Sequence, residues 1–171
     1  MAETYIPIAT TTLSAPAASI TFSSIPSTYT DLRVSIVGAT SDTTADSWNL
    51  QMNFNGDTAT NYSVTRIQGN GTTVASARNA SLGFGLVGYA LPGISTSVWG
   101  FSTVDIFGYS GSAYKTALCT TSQDLNGSGW VMRLVDLWRS TAAITSIAFT
   151  VGSSLNFRTG TVATLYGIKA A

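Results

Sequence analysis

The chain has 171 residues, with eight basic and eight acidic side chains, no histidine and one cysteine. Charged residues are 9 % of the chain, against roughly 25 % in an ordinary soluble domain. Zero net charge removes the basic footprint expected of a nucleic-acid binder or a polybasic membrane ligand.

From the N-terminus, Met1 to Thr12, with Tyr5, Ile6, Pro7 and Ile8, reads either as an arm that reaches a neighbour or as a first edge strand. Next, Leu32, Val34 and Ile36 share one face of a run, with Arg33 and Ser35 opposite. A loop is expected over Gly38–Ser47. Trp48, Leu50, Met52 and Phe54 then alternate with Asn49, Gln51 and Asn53, and Asn55–Asn61 follows as a loop opened by Asn55-Gly56-Asp57. Asn70-Gly71 and Asn126-Gly127 also accept positive φ and suit tight turns. Ala90–Ser97 is the third expected loop.

Further on, Tyr114, Thr116 and Leu118 alternate with Lys115, Ala117 and Cys119. Trp130 to Ser140 carries good helix formers, but its Trp and Val content and its glycine-flanked start predict a strand. Ile147, Phe149 and Val151 oppose Ser146, Ala148 and Thr150, and residues 161–168 make a last strand. Evenly spaced strands with turn signals predict an all-β sandwich or barrel of about nine to eleven strands, with little or no helix. No repeat or linker divides the chain, so residues 1–171 read as one domain. Ser and Thr fill 48 positions, so much of the polar surface is hydroxyl, which suits strands and turns. A surface with so few charges is poorly protected from self-association and is easiest to rationalise against neighbours.

Several motifs carry a chemical reading beside a plainer one. Gly83 to Gly88 matches G-x-G-x-x-G, yet Pro92-Gly93 stands where the nucleotide-binding helix should run, so a glycine-rich strand or loop is expected. Ser112 to Lys115 matches S-x-x-K, but that chemistry needs a helical turn and the S-D-N and K-T-G partners, which are missing. Cys119 has no histidine to act as its base and reads as a small buried residue. Of the eight acidic residues, only Asp105 with Asp124 or Asp136 is open as a glycosidase pair. Asp42 and Asp46 invite a calcium reading at a spacing that fits no familiar loop. The formal glycosylation sequons at Asn61, Asn70, Asn79 and Asn126 are expected by chance in so Ser/Thr/Asn-rich a chain.

Trp48, Trp99, Trp130 and Trp138, with seven Tyr and seven Phe, read mainly as core and protein interface, and secondarily as a sugar-stacking platform. The N-terminus lacks a basic region followed by an apolar core, and Leu82 to Ile94 is too short and glycine-broken to span a bilayer. A soluble product of a cytoplasm is expected, without cofactor or metal and with no catalytic residue.

Three stretches carry a resemblance: Ile25 to Val34, Phe54 to Ser63, and Ile144 to Phe149 leading through Asn156 to Lys169. In this order, ending on a Leu-Tyr-Gly-Ile strand, they resemble small virion proteins of tailed bacteriophages. The likeness runs from about residue 4 to the C-terminus, and its motifs describe turns and strands, not a chemical site. It implies a jelly-roll-like antiparallel β-sandwich that decorates or cements a capsid. Implied partners are the major capsid protein and further copies of the chain, as a homotrimer, with no nucleic acid and no membrane. The implied location is the capsid surface, after synthesis in the host cytoplasm. Tyr5, Ile6, Pro7, Ile8 and Trp99 are the candidate interface residues. The alternatives are a tail- or fibre-associated receptor binder that recognises carbohydrate, and a lectin-like module of cellular origin.

Overall fold

The computed structural model describes residues 4–41, 43, 47–93 and 97–169. The rest of the expected N-terminal segment and parts of the expected loops Gly38–Ser47 and Ala90–Ser97 lie outside the described residues, as do Asp42 and Asp46.

Twelve strands make up the described fold, where nine to eleven were expected. They are β1 (Tyr5–Thr12), β2 (Ser19–Phe22), β3 (Asp31–Gly38), β4 (Trp48–Phe54), β5 (Tyr62–Gly69) and β6 (Val74–Leu82). The second half continues with β7 (Gly85–Leu91), β8 (Gly100–Phe107), β9 (Lys115–Asp124), β10 (Gly129–Trp138), β11 (Ile147–Val151) and β12 (Val162–Ile168). A single 3-10 turn, Gly152–Ser154, is the only helical element among the described residues. Trp130 to Trp138 is strand, as its β-branched and aromatic content implied.

All pairings between strands are antiparallel, in a sheet of order β1-β12-β3-β8-β9-β10-β5-β6 and a smaller one of order β2-β11-β4-β7. Setting aside the hairpins β5–β6 and β9–β10 leaves eight strands. Taken in chain order, the first then pairs with the last, the last with the third, and the third with the sixth. The second pairs with the seventh, the seventh with the fourth, and the fourth with the fifth. That is the double Greek key of a jelly roll. The two hairpins extend its larger sheet beyond β8, and β7, at the edge of the smaller sheet, lies across the inner face of this extension.

Alternation decides which side chains fill the sandwich. In β3, Leu32, Val34 and Ile36 point inward, and in β4 Leu50, Met52 and Phe54 do, all fully or almost fully buried. Ala117 and Cys119 of β9, Met132 and Leu134 of β10, and Ile147 and Phe149 of β11 complete the middle of the core. The glycines of residues 83–88 are explained by close packing here. A Cβ on Gly88, whose φ is +139°, would lie 2.3 Å from Thr121 Cγ2, and one on Gly85 2.8 Å from Met52 Cε. Only strands without side chains at these points can lie this close to β9 and β4.

At one end, the Asn55–Asn61 loop is fastened to the core through Asp57. Its Oδ2 accepts from the Trp138 indole Nε1–H at 2.7 Å and from Asn61 Nδ2 at 2.9 Å. Its Oδ1 accepts from the Ala59 N–H, and the Tyr62 hydroxyl donates to its carbonyl. These bonds, led by that from Asn61 and then Trp138, hold the Asp57 carboxyl below its ordinary range. Burial pushes the Tyr62 phenol up to about 12.

Candidate functional site

The outer face of the eight-stranded sheet is built from the residues that alternate with the core. Along one row run Val74, Gly69, Val131, Ser122, Phe101, Val37, Val162 and Thr12, drawn from all eight strands in spatial order. The adjacent rows carry Ile67, Arg133, Thr120 and Thr103, then Val135, Leu118, Asp105 and Arg33, then Phe107 and Tyr5. Among the described residues ten large hydrophobic side chains are exposed, and eight of them stand on this face; Val74 (79 %) and Val131 (66 %) are the most open. Seven strand spacings of roughly 4.8 Å and about seven residues of roughly 3.3 Å give a face of about 800 Å². The exposed apolar side chains occupy only part of that area, set among Ser, Thr and charged residues.

The charge on this face is largely cancelled within it. Arg33 pairs with Asp105 across β3 and β8 through two hydrogen bonds, Nε to Oδ1 at 2.5 Å and Nη2 to Oδ2 at 2.8 Å. Its Nη1 donates to the Tyr5 hydroxyl, and its guanidinium lies 5.4 Å from the Tyr5 ring centre. The hydrogen bond to Asp105 raises the Arg33 pKa above its ordinary value, against the opposing effect of partial burial. Asp31 accepts from the Gly108 N–H, and Arg133 donates to the Thr120 hydroxyl. Exposed Arg78, opposite Thr65, and Asp124, opposite Gly129, add one charge of each sign, and between these groups the face is hydroxyl, aliphatic and aromatic.

The N-terminal candidates fall at one edge of this sheet. Residues 5–12 form the edge strand β1, paired with β12 and bulged between Pro7 and Ala9. Tyr5 and Pro7 are exposed, while Ile6 and Ile8 are half-buried, with Ile8 packed on the core. Pro7 removes a backbone donor and the bulge re-aims the strand, both of which blunt this edge against further pairing. Trp99 lies beside the start of β8, with the Arg158 guanidinium 4.4 Å from its ring centre and its ring against Gly160, whose N–H donates to the Leu13 carbonyl at the far end of β1 from residues 5–8. The structure therefore does not bring Trp99 together with the N-terminal residues.

The chemical motifs resolve into packing geometry. Gly85 to Gly88 belong to β7, not to a turn before a helix. Ser112 is exposed, whereas Lys115 begins β9 and is buried, its ammonium donating to the carbonyls of Gly111 and Ala113. Burial lowers the Lys115 pKa. Asp105 sits on the outer face and Asp136 on the inner face of the same sheet. Asp124 lies six residues along β9 from the partner of Asp105, roughly 20 Å away. None of these carboxylates faces another.

Asp136 is the one acidic side chain in the core of the described chain, 1 % exposed beneath β7. Its Oδ1 accepts from the Leu86 N–H at 2.8 Å, and Cys119 Sγ lies 3.6 Å from its Oδ2. Burial drives its pKa up to about 7, against the opposing bonds from Leu86 and Cys119. Burial also pushes the Cys119 thiol well up, so the thiol stays protonated and unreactive. Nothing in the sequence pattern around Asp136 distinguishes it from an outward-facing strand residue; only its inward register on β10 does.

No protein-family model, curated protein sequence or solved structure matches this chain.

Proposed function

We propose that the protein is a structural subunit of a tailed-bacteriophage particle, a decoration or cement subunit that binds and stabilises the shell of major capsid protein. The observation that carries this reading is the outer face of the large sheet: broad, apolar, hydroxyl-rich and internally charge-neutral. At about 800 Å² it matches one partner's share of a standard protein interface. Interface cores are depleted in charge in the same way. The resemblance in residues 25–34, 54–63 and 144–169 supplies the kind of partner, and the jelly roll suits it. Assembly as a homotrimer on the capsid surface belongs to the same proposal, with the apolar face shared between copies and shell.

The test is co-sedimentation of the purified protein with shells that lack it, comparing the native chain with the double variant Phe101→Asp, Val131→Asp. Both positions are exposed, so the monomer should keep its melting temperature within a few degrees, since such changes typically alter stability by about 0.5 kcal/mol. Burying two unpaired carboxylates in the contact should weaken shell binding at least a hundredfold, about 2.8 kcal/mol. Unchanged shell binding by a folded double variant would refute this face as the contact.

A further inference from the structure

Three of the four tryptophans gather at one end of the sandwich, opposite the end closed by Trp138 and Asp57. Two clefts adjoin there and share Trp130. The larger, about 590 Å³, lies between the hairpin turns near Asn70 and Gly127 and is bounded by Trp99 and Phe101. The smaller, about 360 Å³, is lined by Trp48, Tyr89 and Trp130 together with Ser47, Asn49 and Ser153. All three rings of the smaller cleft are half-buried, packed on the core by one side. Tyr89 meets Trp130 edge to face at 5.8 Å between ring centres. Arg66 places its guanidinium 5.4 Å from the Tyr89 ring centre and so steadies that ring.

Four polar groups of this cleft are uncommitted among the described residues: Ser47, Asn49, Ser153 and the Tyr89 hydroxyl make no side-chain hydrogen bond there. This contrasts with the rest of the small sheet's polar face, where Asn53 is bonded to two carbonyls. An asparagine amide offers two donors and an acceptor, and each hydroxyl offers both. Next to Arg66, the described lining holds no further charge.

We propose that the Trp48–Tyr89–Trp130 cleft is a saccharide-binding site for a neutral hexose-type glycan. The C–H faces of a pyranose are apolar and lie against aromatic rings, while its hydroxyls need paired donors and acceptors at the rim. Rigid rings plus a few uncommitted amide and hydroxyl groups supply both in one place. A phosphate or nucleotide ligand would want clustered positive charge, which the lining lacks. A hydrocarbon ligand would leave the amide and hydroxyls unpaired. The cleft opens at the edge of the small sheet, with Asn49 on the side of β4 that faces away from the core, and away from the outer face of the large sheet. A subunit seated by that face leaves the cleft open to solvent, so the site does not depend on the shell reading. Repeated over many copies, a weak site of this kind would give a particle avidity for a glycan-coated surface.

The experiment is tryptophan-fluorescence titration and calorimetry of the full chain with hexasaccharides of α-1,4-glucan, β-1,4-glucan, β-1,3-glucan and β-1,4-mannan. The proposal expects saturable binding of at least one of these at millimolar concentration or below, with a change in tryptophan emission. Asn49→Ala and Tyr89→Phe, which leave the rings in place, should each weaken that binding at least threefold, and Trp130→Ala should abolish it. Melting curves of Asn49→Ala and Tyr89→Phe, unchanged from the native chain, separate loss of ligand from loss of fold. No binding of any hexasaccharide at about 10 mM, or binding that all three variants retain in full, would overturn the assignment, whatever the outcome of shell binding.

Discussion

Asp136 makes the stability of this protein fall as pH rises, and the size of that effect can be worked from the structure. The carboxyl titrates near 3.8 when exposed in the unfolded chain and at about 7 beneath β7. Between these values the folded state holds a proton that the unfolded state has lost. Stability is therefore fully supported below about pH 4 and declines until the folded group ionises near pH 7. Each pH unit corresponds to about 1.36 kcal/mol, so roughly 4 kcal/mol is at stake over the whole window and about 2.7 kcal/mol between pH 5 and pH 7. The chain has no histidine to titrate across the same range. Asp57, whose pKa is lowered, acts in the opposite sense and only in acid: its support is present above about pH 4 and is lost as pH falls.

The substitution Asp136→Asn keeps an oxygen for the Leu86 N–H and removes the titration. Urea unfolding at pH 5 and pH 8 should show the native chain losing about 2–3 kcal/mol while the variant stays level, so that the variant gains on the native chain at high pH. A native curve flat within about 0.5 kcal/mol across that range, or a variant with the native slope, would refute the buried-carboxyl argument.

Gly88→Ala places a methyl 2.3 Å from Thr121 in a backbone conformation with φ at +139°, and should cost about 3 kcal/mol or more, read as a lowered thermal midpoint. Asp57→Ala leaves the Trp138 indole N–H without its acceptor and frees the 55–61 loop, for a loss of about 2–3 kcal/mol. In that variant, amide exchange should rise first in residues 55–61. Cys119, fully buried beside Asp136, should be silent to a thiol reagent in the native protein and react once on full unfolding; fast native labelling would contradict its placement.

The core of this fold was legible because β3, β4, β9 and β11 bury one face, and burial enforces period-2 alternation. Trp130 to Trp138 read correctly from its Trp and Val content and glycine-flanked start, despite its helix formers. The count fell short where the signal is short or one-sided burial is lacking. Strand β2 alternates but is four residues long, and β6 presents exposed residues on both faces, so its Ala, Ser and Asn record no inside. The jelly roll came from resemblance; of the two hairpins that widen its larger sheet, β9–β10 showed in the sequence while β6 of the other did not.

The site was less legible still. Outward-facing positions Val37, Phe101, Val131 and Val135 come from three strands far apart in sequence, and only the pairing register places them together. The candidate Trp99 was separated from Tyr5 by that same register. Trp48, Tyr89 and Trp130 were visible as aromatics, but their convergence at one end depends on where β7 crosses the extension. Asp136 differs from Asp105 only in facing inward.

The measurement that tests the central claim most directly is the copy number of this chain relative to the major capsid protein, by quantitative mass spectrometry of purified particles. A decoration or cement subunit predicts hundreds of copies in a simple ratio to the capsid protein. A few to a few tens of copies would instead place the chain in a tail or fibre, and its absence from particles would contradict a virion role altogether.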